Sequence, residues 1–186
     1  MNYHNILHND MNNGSGLRVT LFVSGCDHYC KGCQNPQTWK KDSGIEFDKA
    51  AMEEIMEELS HDYITGITFS GGDPLYQENV EYILELCKII KKKFPTKTIW
   101  LYTGFQWEDI YKNPDTPVQD FASPFQVSRQ LILDYVDVLV DGMYLEEKAD
   151  AAYPWAGSTN QRVIDVKETL QTEHIVLYHA TSSEKK

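Results

Sequence analysis

With 186 residues, 41% of them hydrophobic and 24% charged, the chain is the size of one domain and can bury a core, which excludes disorder throughout. Its 17 basic and 28 acidic residues give a formal net charge of −11, and this argues against a nucleic-acid surface, because phosphate binding needs clustered Lys and Arg. No apolar run approaches the roughly 20 residues of a membrane span, and the start MNYHNILHND lacks the basic-then-apolar pattern of an export signal, so a cytoplasmic protein is expected.

Strand, loop and helix patterns alternate along the chain. Residues 17–24 (LRVTLFVS) are rich in β-branched and large apolar side chains and predict a first strand. Residues 48–60 open with Asp48, a candidate N-cap, and place Ala51, Ile55, Met56 and Leu59 at helical spacing. A second strand is expected over 64–70 (ITGITFS). A helix over 78–94 then carries Val80, Ile83, Leu84, Cys87 and Ile90 in register, and Pro95 stops it. Third and fourth strands are expected at 98–103 (TIWLYT) and 136–141 (VDVLVD), the latter preceded by a short apolar stretch at 130–133. Between them, residues 113–126 contain Pro114, Pro117 and Pro124 and read as a surface insertion. Near the end, GSTNQR reads as a polar turn, RVIDV as a strand, HIVLY as a possible last strand and TSSEKK as a frayed tail.

Short apolar strands alternating with helices predict an α/β fold of parallel βαβ units. At this length only a partial βα barrel is expected, since eight βα units take about 250 residues. Residues 1–165 would form this domain, and 166–186 would add the terminal strand and tail to it. Parallel α/β folds build their sites at the carboxyl ends of the strands. The four predicted strands end in Ser24-Gly25-Cys26, Gly71-Gly72-Asp73-Pro74, Thr103-Gly104 and Asp141-Gly142, so every unusual sequence element falls on one rim.

Three of the four cysteines, Cys26, Cys30 and Cys33, lie within eight residues in C-x3-C-x2-C spacing. In a reducing compartment such a group reads as metal ligands before disulfides. Three thiolates fall short of the four ligands of a structural zinc site, but they can hold three irons of a [4Fe–4S] cluster and leave the fourth open to a non-protein ligand. A zinc knot completed by His28 or another histidine, serving as an interaction module, is the alternative. Cys87, among apolar residues on a predicted helix, reads as a small buried hydrophobe, and Glu53, Glu54, Glu57 and Glu58 read as a solvated helix face.

The loop CDHYCKGCQNPQTW resembles the radical S-adenosylmethionine (SAM) superfamily, and within it the anaerobic ribonucleoside-triphosphate reductase-activating proteins. NGSGLR at 13–18, GGDPL at 71–75, YTG at 102–104, DVLVDG at 137–142 and GSTNQR at 157–162 follow in that family's order. The resemblance implies a partial barrel of the radical SAM type with one [4Fe–4S] cluster on Cys26, Cys30 and Cys33. It implies SAM contacts from Gly32, Cys33, Gln34, Gly71, Gly72, Asp73, Thr103 and Asp141. Arg18 and Arg162 would pair with carboxylates near the site or serve docking. The implied activity is reductive cleavage of SAM, with the 5′-deoxyadenosyl radical generating a glycyl radical on anaerobic ribonucleoside-triphosphate reductase. An external one-electron donor such as a flavodoxin or ferredoxin is implied as a further partner. A pyruvate formate-lyase type of activator shares much of the pattern. This chain departs from it at Met143, where those enzymes place a lysine.

Overall fold

The computed structural model describes residues 1–112 and 124–180. Most of the expected insertion, 113–123, and the tail 181–186 lie outside the described residues. Residues 124–126 open a helix, and no further insertion follows them.

Seven strands form one mixed sheet: β1 (Asn2–Asp10), β2 (Arg18–Val23), β3 (Ile45–Glu46), β4 (Gly66–Gly71), β5 (Thr98–Tyr102), β6 (Val138–Asp141) and β7 (Arg162–Asp165). Their order is β3-β1-β2-β4-β5-β6-β7, so the sheet is open, with β3 and β7 at its edges. The four strands β2, β4, β5 and β6 are parallel, as their alternation with helices predicts. The flanking strands are antiparallel: β1 pairs with β2 and β3, and β7 pairs with β6. Parallel units alone therefore describe the centre of the sheet but not its margins. β1 escapes sequence reading because NYHNILHND is polar, and its burial is correspondingly patchy. The segment HIVLY falls short of a strand. It runs beside β7 through Asp165 N–H to Val176 O (2.9 Å), Tyr178 N–H to Val163 O (2.8 Å) and one bridge.

Helices α1 (Lys49–Leu59), α2 (Val80–Lys93), α3 (Trp107–Ile110), α4 (Pro124–Ile132) and α5 (Val166–Thr172) complete the fold. Asp48 caps α1, its carboxylate accepting from Ala51 N–H at 3.0 Å. Alternation along the strands divides the sheet into two faces. Val19, Leu21, Val23, Ile67, Phe69, Ile99, Leu101 and Leu139 join Ile55, Leu59, Ile83, Cys87 and Ile90 of the helices in the main core. Each such apolar side chain, fully buried, contributes about 1.5–3 kcal/mol. Cys87 is a buried core residue, as its setting predicts. The opposite face carries Arg18, Thr20, Phe22, Thr68, Ser70, Trp100 and Tyr102, and here the sheet is polar and aromatic. Among the described residues no helix is long and apolar enough to cross a membrane.

Among the described residues Arg18 pairs with no carboxylate. It is fully buried at the start of β2, where its guanidinium donates to Thr68 Oγ1 (2.8 Å), Thr98 Oγ1 (2.9 Å), Ile67 O (2.7 Å), Thr98 O (3.0 Å) and Ser15 O (3.1 Å). Burial pulls the guanidinium down to about 10, and the face of Trp100 lies 5.4 Å away. Its role is to staple β2, β4 and β5 at the end away from the strand-end rim. Arg18→Met is expected to leave several carbonyls unpaired and to cost about 3 kcal/mol. For a chain this size that lowers Tm by roughly 6–12 °C in a thermal melt. An unchanged Tm would mean that the acceptors find other partners.

Candidate active site

The register of the parallel strands places their ends level. Val23 lies opposite Gly71, Leu101 opposite Phe69, and Tyr102 opposite Val140. Backbone bonds then knit the loops that leave these ends: Gly72 N–H donates to Val23 O (2.7 Å), Asp73 N–H to Gly25 O (2.8 Å) and Thr103 N–H to Val140 O (2.9 Å). The rim expected from sequence is a continuous structural feature.

The cysteine loop leaves β2 and returns to it. Gly25 N–H donates to Thr38 O (2.7 Å) and Cys26 N–H to Trp39 O (3.0 Å), so both ends of the loop are fixed together. Cys33 N–H donates to Cys30 O (3.1 Å), and a 3-10 turn at Pro36–Thr38 closes the far side. Tyr29 takes a left-handed φ of 46° between two of the cysteines and meets Trp39 edge-on at 5.4 Å. The three thiols are free, and they line one cavity of about 790 Å³. Cys26 is buried, while Cys30 and Cys33 are partly exposed. Burial, then the negative charge of Asp73, pushes the Cys26 thiol up to about 12, and burial also raises Cys30.

These residues fit a cationic iron–sulfur group. Soft sulfur donors converge on a cavity whose electrostatics disfavour bare thiolates and would be relieved by positive charge. Among the described residues no three His, Cys, Asp or Glu side chains gather closely enough to hold a single metal ion. A lone tetrahedral zinc needs its thiolates about 3.8 Å apart, given Zn–S bonds of about 2.3 Å. His28, named above as a fourth ligand in the zinc alternative, ties the cysteine loop to Asp73: its Nε2 lies 2.7 Å from Asp73 Oδ2.

Asp73 is the hub of the rim. Its buried carboxylate accepts from Thr103 Oγ1 (2.9 Å), Gly104 N–H (3.0 Å) and Leu75 N–H (2.8 Å) as well as meeting His28. One side chain thus joins the cysteine loop to the ends of β4 and β5. Burial alone would lower the His28 pKa, but the hydrogen bond and charge of Asp73 outweigh it and raise it. The His28 ring also stands edge-on to Phe105 at 4.7 Å.

Asp141, at the end of the neighbouring strand β6, ties loops together in the same way. It is buried, accepts from Trp107 N–H (2.8 Å), and pairs with Arg162, whose Nε lies 3.0 Å from Oδ1. Arg162 also forks onto Glu108 at 3.0 and 2.8 Å, so this arginine does pair with carboxylates at the rim.

Of the residues expected at the site, Cys26, Cys30, Cys33, Gln34, Gly71, Gly72 and Thr103 line the cavity. Asp73 and Asp141 lie beneath it with their carboxylates already bonded, and Gly32 is exposed on the outer side of the loop. The glycine pair has a local reason as well: a Cβ on Gly72 would sit 2.4 Å from Gly25 O, so only glycine lets the two strand-end loops touch. Sequence reasoning missed His28 as a tie and missed the 142–161 loop as a cavity wall. The histidine inside CDHYC was the available signal for the first.

Residues 12–164 match the family described as a 4Fe-4S single cluster domain. The chain is 39% identical over 163 residues to the anaerobic ribonucleoside-triphosphate reductase-activating protein of Haemophilus influenzae, spanning 87% of this chain and 96% of that one. It is 43% identical over 164 residues to the protein of the same name from Enterobacteria phage T4, spanning 88% and 93%. With that of Escherichia coli K12 the identity is 39% over 165 residues, spanning 88% and 97%. The matched stretch 12–164 takes in the cysteine loop and reaches β7, and by likeness of this extent the chain belongs to the family of anaerobic ribonucleoside-triphosphate reductase-activating proteins.

Proposed function

We propose that the protein is a radical SAM activating enzyme that generates a glycyl radical on anaerobic ribonucleoside-triphosphate reductase in the cytoplasm. The observation that carries this reading is the set of three free thiols on a rim cavity, tied by Asp73 to the neighbouring strand ends. Family membership supports it over the formate-lyase type, since the relatives carry the reductase activator's name.

On this reading Cys26, Cys30 and Cys33 hold a [4Fe–4S] cluster with one iron open to SAM. Such a group would supply one low-potential electron for reductive cleavage of the C5′–S bond of SAM, the chemistry that yields methionine and a 5′-deoxyadenosyl radical able to take hydrogen from a partner glycine. The chain's own residues bind, orient and shield. Gly71 and Gly72 present backbone to the cavity beside the cysteines, where a small ligand meets no side chain. Gln34 and Thr103 line the wall on either side. Asp73 and Asp141 hold the rim loops in place through the bonds described above, so they position the ligand from beneath. The open sheet, read as a partial radical SAM barrel, would let a partner's glycine-bearing segment approach from the side. A flavodoxin or ferredoxin is the proposed one-electron donor.

The test is anaerobic reconstitution with iron and sulfide, followed by dithionite and SAM. The expected products are 5′-deoxyadenosine and methionine, and addition of the reductase chain should give a glycyl radical signal by EPR. One zinc per chain with no sulfide would overturn the assignment. SAM cleavage without a glycyl signal would redirect it to another radical SAM substrate.

A further inference from the structure

The motif GSTNQR is the one sequence signal that the proposed chemistry leaves without a role. It ends the loop between β6 and β7, residues 142–161, which forms the outer wall of the cavity through Tyr144, Asp150, Tyr153, Trp155 and Gly157. Residues of the motif bind this loop's two limbs together. Leu145 N–H donates to Ser158 Oγ at 3.2 Å, and Asn160 Nδ2 donates to Met143 O at 2.8 Å. Gln161 does more: its Oε1 accepts from Gly157 N–H (2.9 Å) and Ser158 N–H (3.2 Å), while its Nε2 donates to Gly142 O (2.9 Å). Both limbs thus meet on one primary amide. At its deep end the wall is anchored by Trp155, which takes a left-handed φ of 57° and stands edge-on to Trp100 at 5.3 Å and near Tyr178 at 5.7 Å. To the cysteine loop the wall is tied by the Tyr144 backbone N–H, which bonds the Cys30 sulfur, and by the exposed Lys31–Glu146 pair, which is worth little.

We infer that Gln161 is a positioning residue that sets the outer wall of the cavity and thereby how tightly SAM is enclosed. The inference rests on the reading of this cavity as a SAM site. The side-chain type follows from the bonding: the position must accept from two amides and donate to a carbonyl. Glutamate has no donor when ionised, arginine and lysine have no acceptor, and an apolar residue has neither. A carboxamide meets both demands at once, accepting twice on its oxygen and donating from its nitrogen, and Gln161 itself lines the cavity it shapes.

The test compares wild type with Gln161→Met and Gln161→Glu, each reconstituted anaerobically. Two quantities are read: SAM affinity by equilibrium binding, and the rate of tryptic cleavage after Lys148, an exposed residue of the wall. In the wild type, SAM should slow that cleavage. Gln161→Met should bind SAM roughly ten-fold more weakly, the scale of losing three hydrogen bonds at about half a kcal/mol each, and SAM at the wild-type saturating concentration should no longer protect Lys148. Gln161→Glu keeps both accepted bonds and should lose only about three-fold. If Gln161→Met does not fold, this second variant carries the test. Faster cleavage with SAM affinity within two-fold of wild type would overturn the inference, because the bonds would then serve loop stability alone. Failure of the wild type itself to bind SAM would overturn the functional reading, a result distinct from failure of the variant.

Discussion

Replacing any one of Cys26, Cys30 and Cys33 by alanine is expected to abolish SAM cleavage, with 5′-deoxyadenosine formation falling by at least about 1000-fold, or roughly 4 kcal/mol of transition-state stabilisation. Two thiolates cannot hold three irons, so iron and sulfide content after reconstitution should fall with the activity. Cys87→Ala provides the contrast. Its thiol is buried in the core beneath α2, where burial raises its pKa and keeps it protonated and inert. That variant should lose about 1 kcal/mol of stability from the small cavity and keep full iron content. Equal losses in all four variants would show that the cysteines matter only for folding. Retained iron in a variant of the loop would show that another side chain completes the ligand set, and the proposed open coordination position would then be untenable.

The sequence was legible where a single physical signal dominated. Continuous apolar runs mark β2, β4, β5 and β6 because these strands are buried by neighbours on both sides, and their helices announce themselves through period and caps such as Asp48. The rim followed from topology alone, since parallel strands deliver their carboxyl ends to one edge. Edge elements were harder. β1 and β3 lie antiparallel at one margin, where polar residues such as His4, Asn5 and His8 are tolerated and periodicity fades, whereas RVIDV was legible at the other and forms β7. Site residues divided along the same line. Cysteine spacing is a local property that survives without the fold, so the loop was readable. Whether Asp73 or Asp141 turns its carboxylate into the cavity or under it depends on partners 30 and 21 residues away, Thr103 and Arg162, and no spacing rule encodes that. Arg18 is the clearest case: a cation beside a predicted site invites an acidic partner, yet it is satisfied by three carbonyls and three threonine hydroxyls.

Asp73 predicts a graded result that separates architecture from chemistry. Asp73→Ala removes the acceptor for Leu75 N–H, Gly104 N–H, Thr103 Oγ1 and His28 at once. Several of these groups are buried, so a loss of about 3 kcal/mol or more is expected, seen as a Tm lower by roughly 6–12 °C. Asp73→Asn keeps the shape and one acceptor oxygen but turns an amide N–H₂ toward existing donors. The three strand-end loops it joins should shift by a fraction of an ångström, and a misplacement near 1 Å can cost about 100-fold in rate. SAM cleavage by Asp73→Asn is therefore expected to fall about 100-fold while iron and sulfide content stays near the wild-type value, because the three cysteines are untouched. Iron loss in this variant would mean that the His28–Asp73 contact also holds the cysteine loop in its metal-binding shape. Wild-type cleavage rates would mean that the carboxylate only packs the rim, and that alignment of the cavity rests on the backbone bonds from Gly72, Asp73 and Thr103 to neighbouring strands.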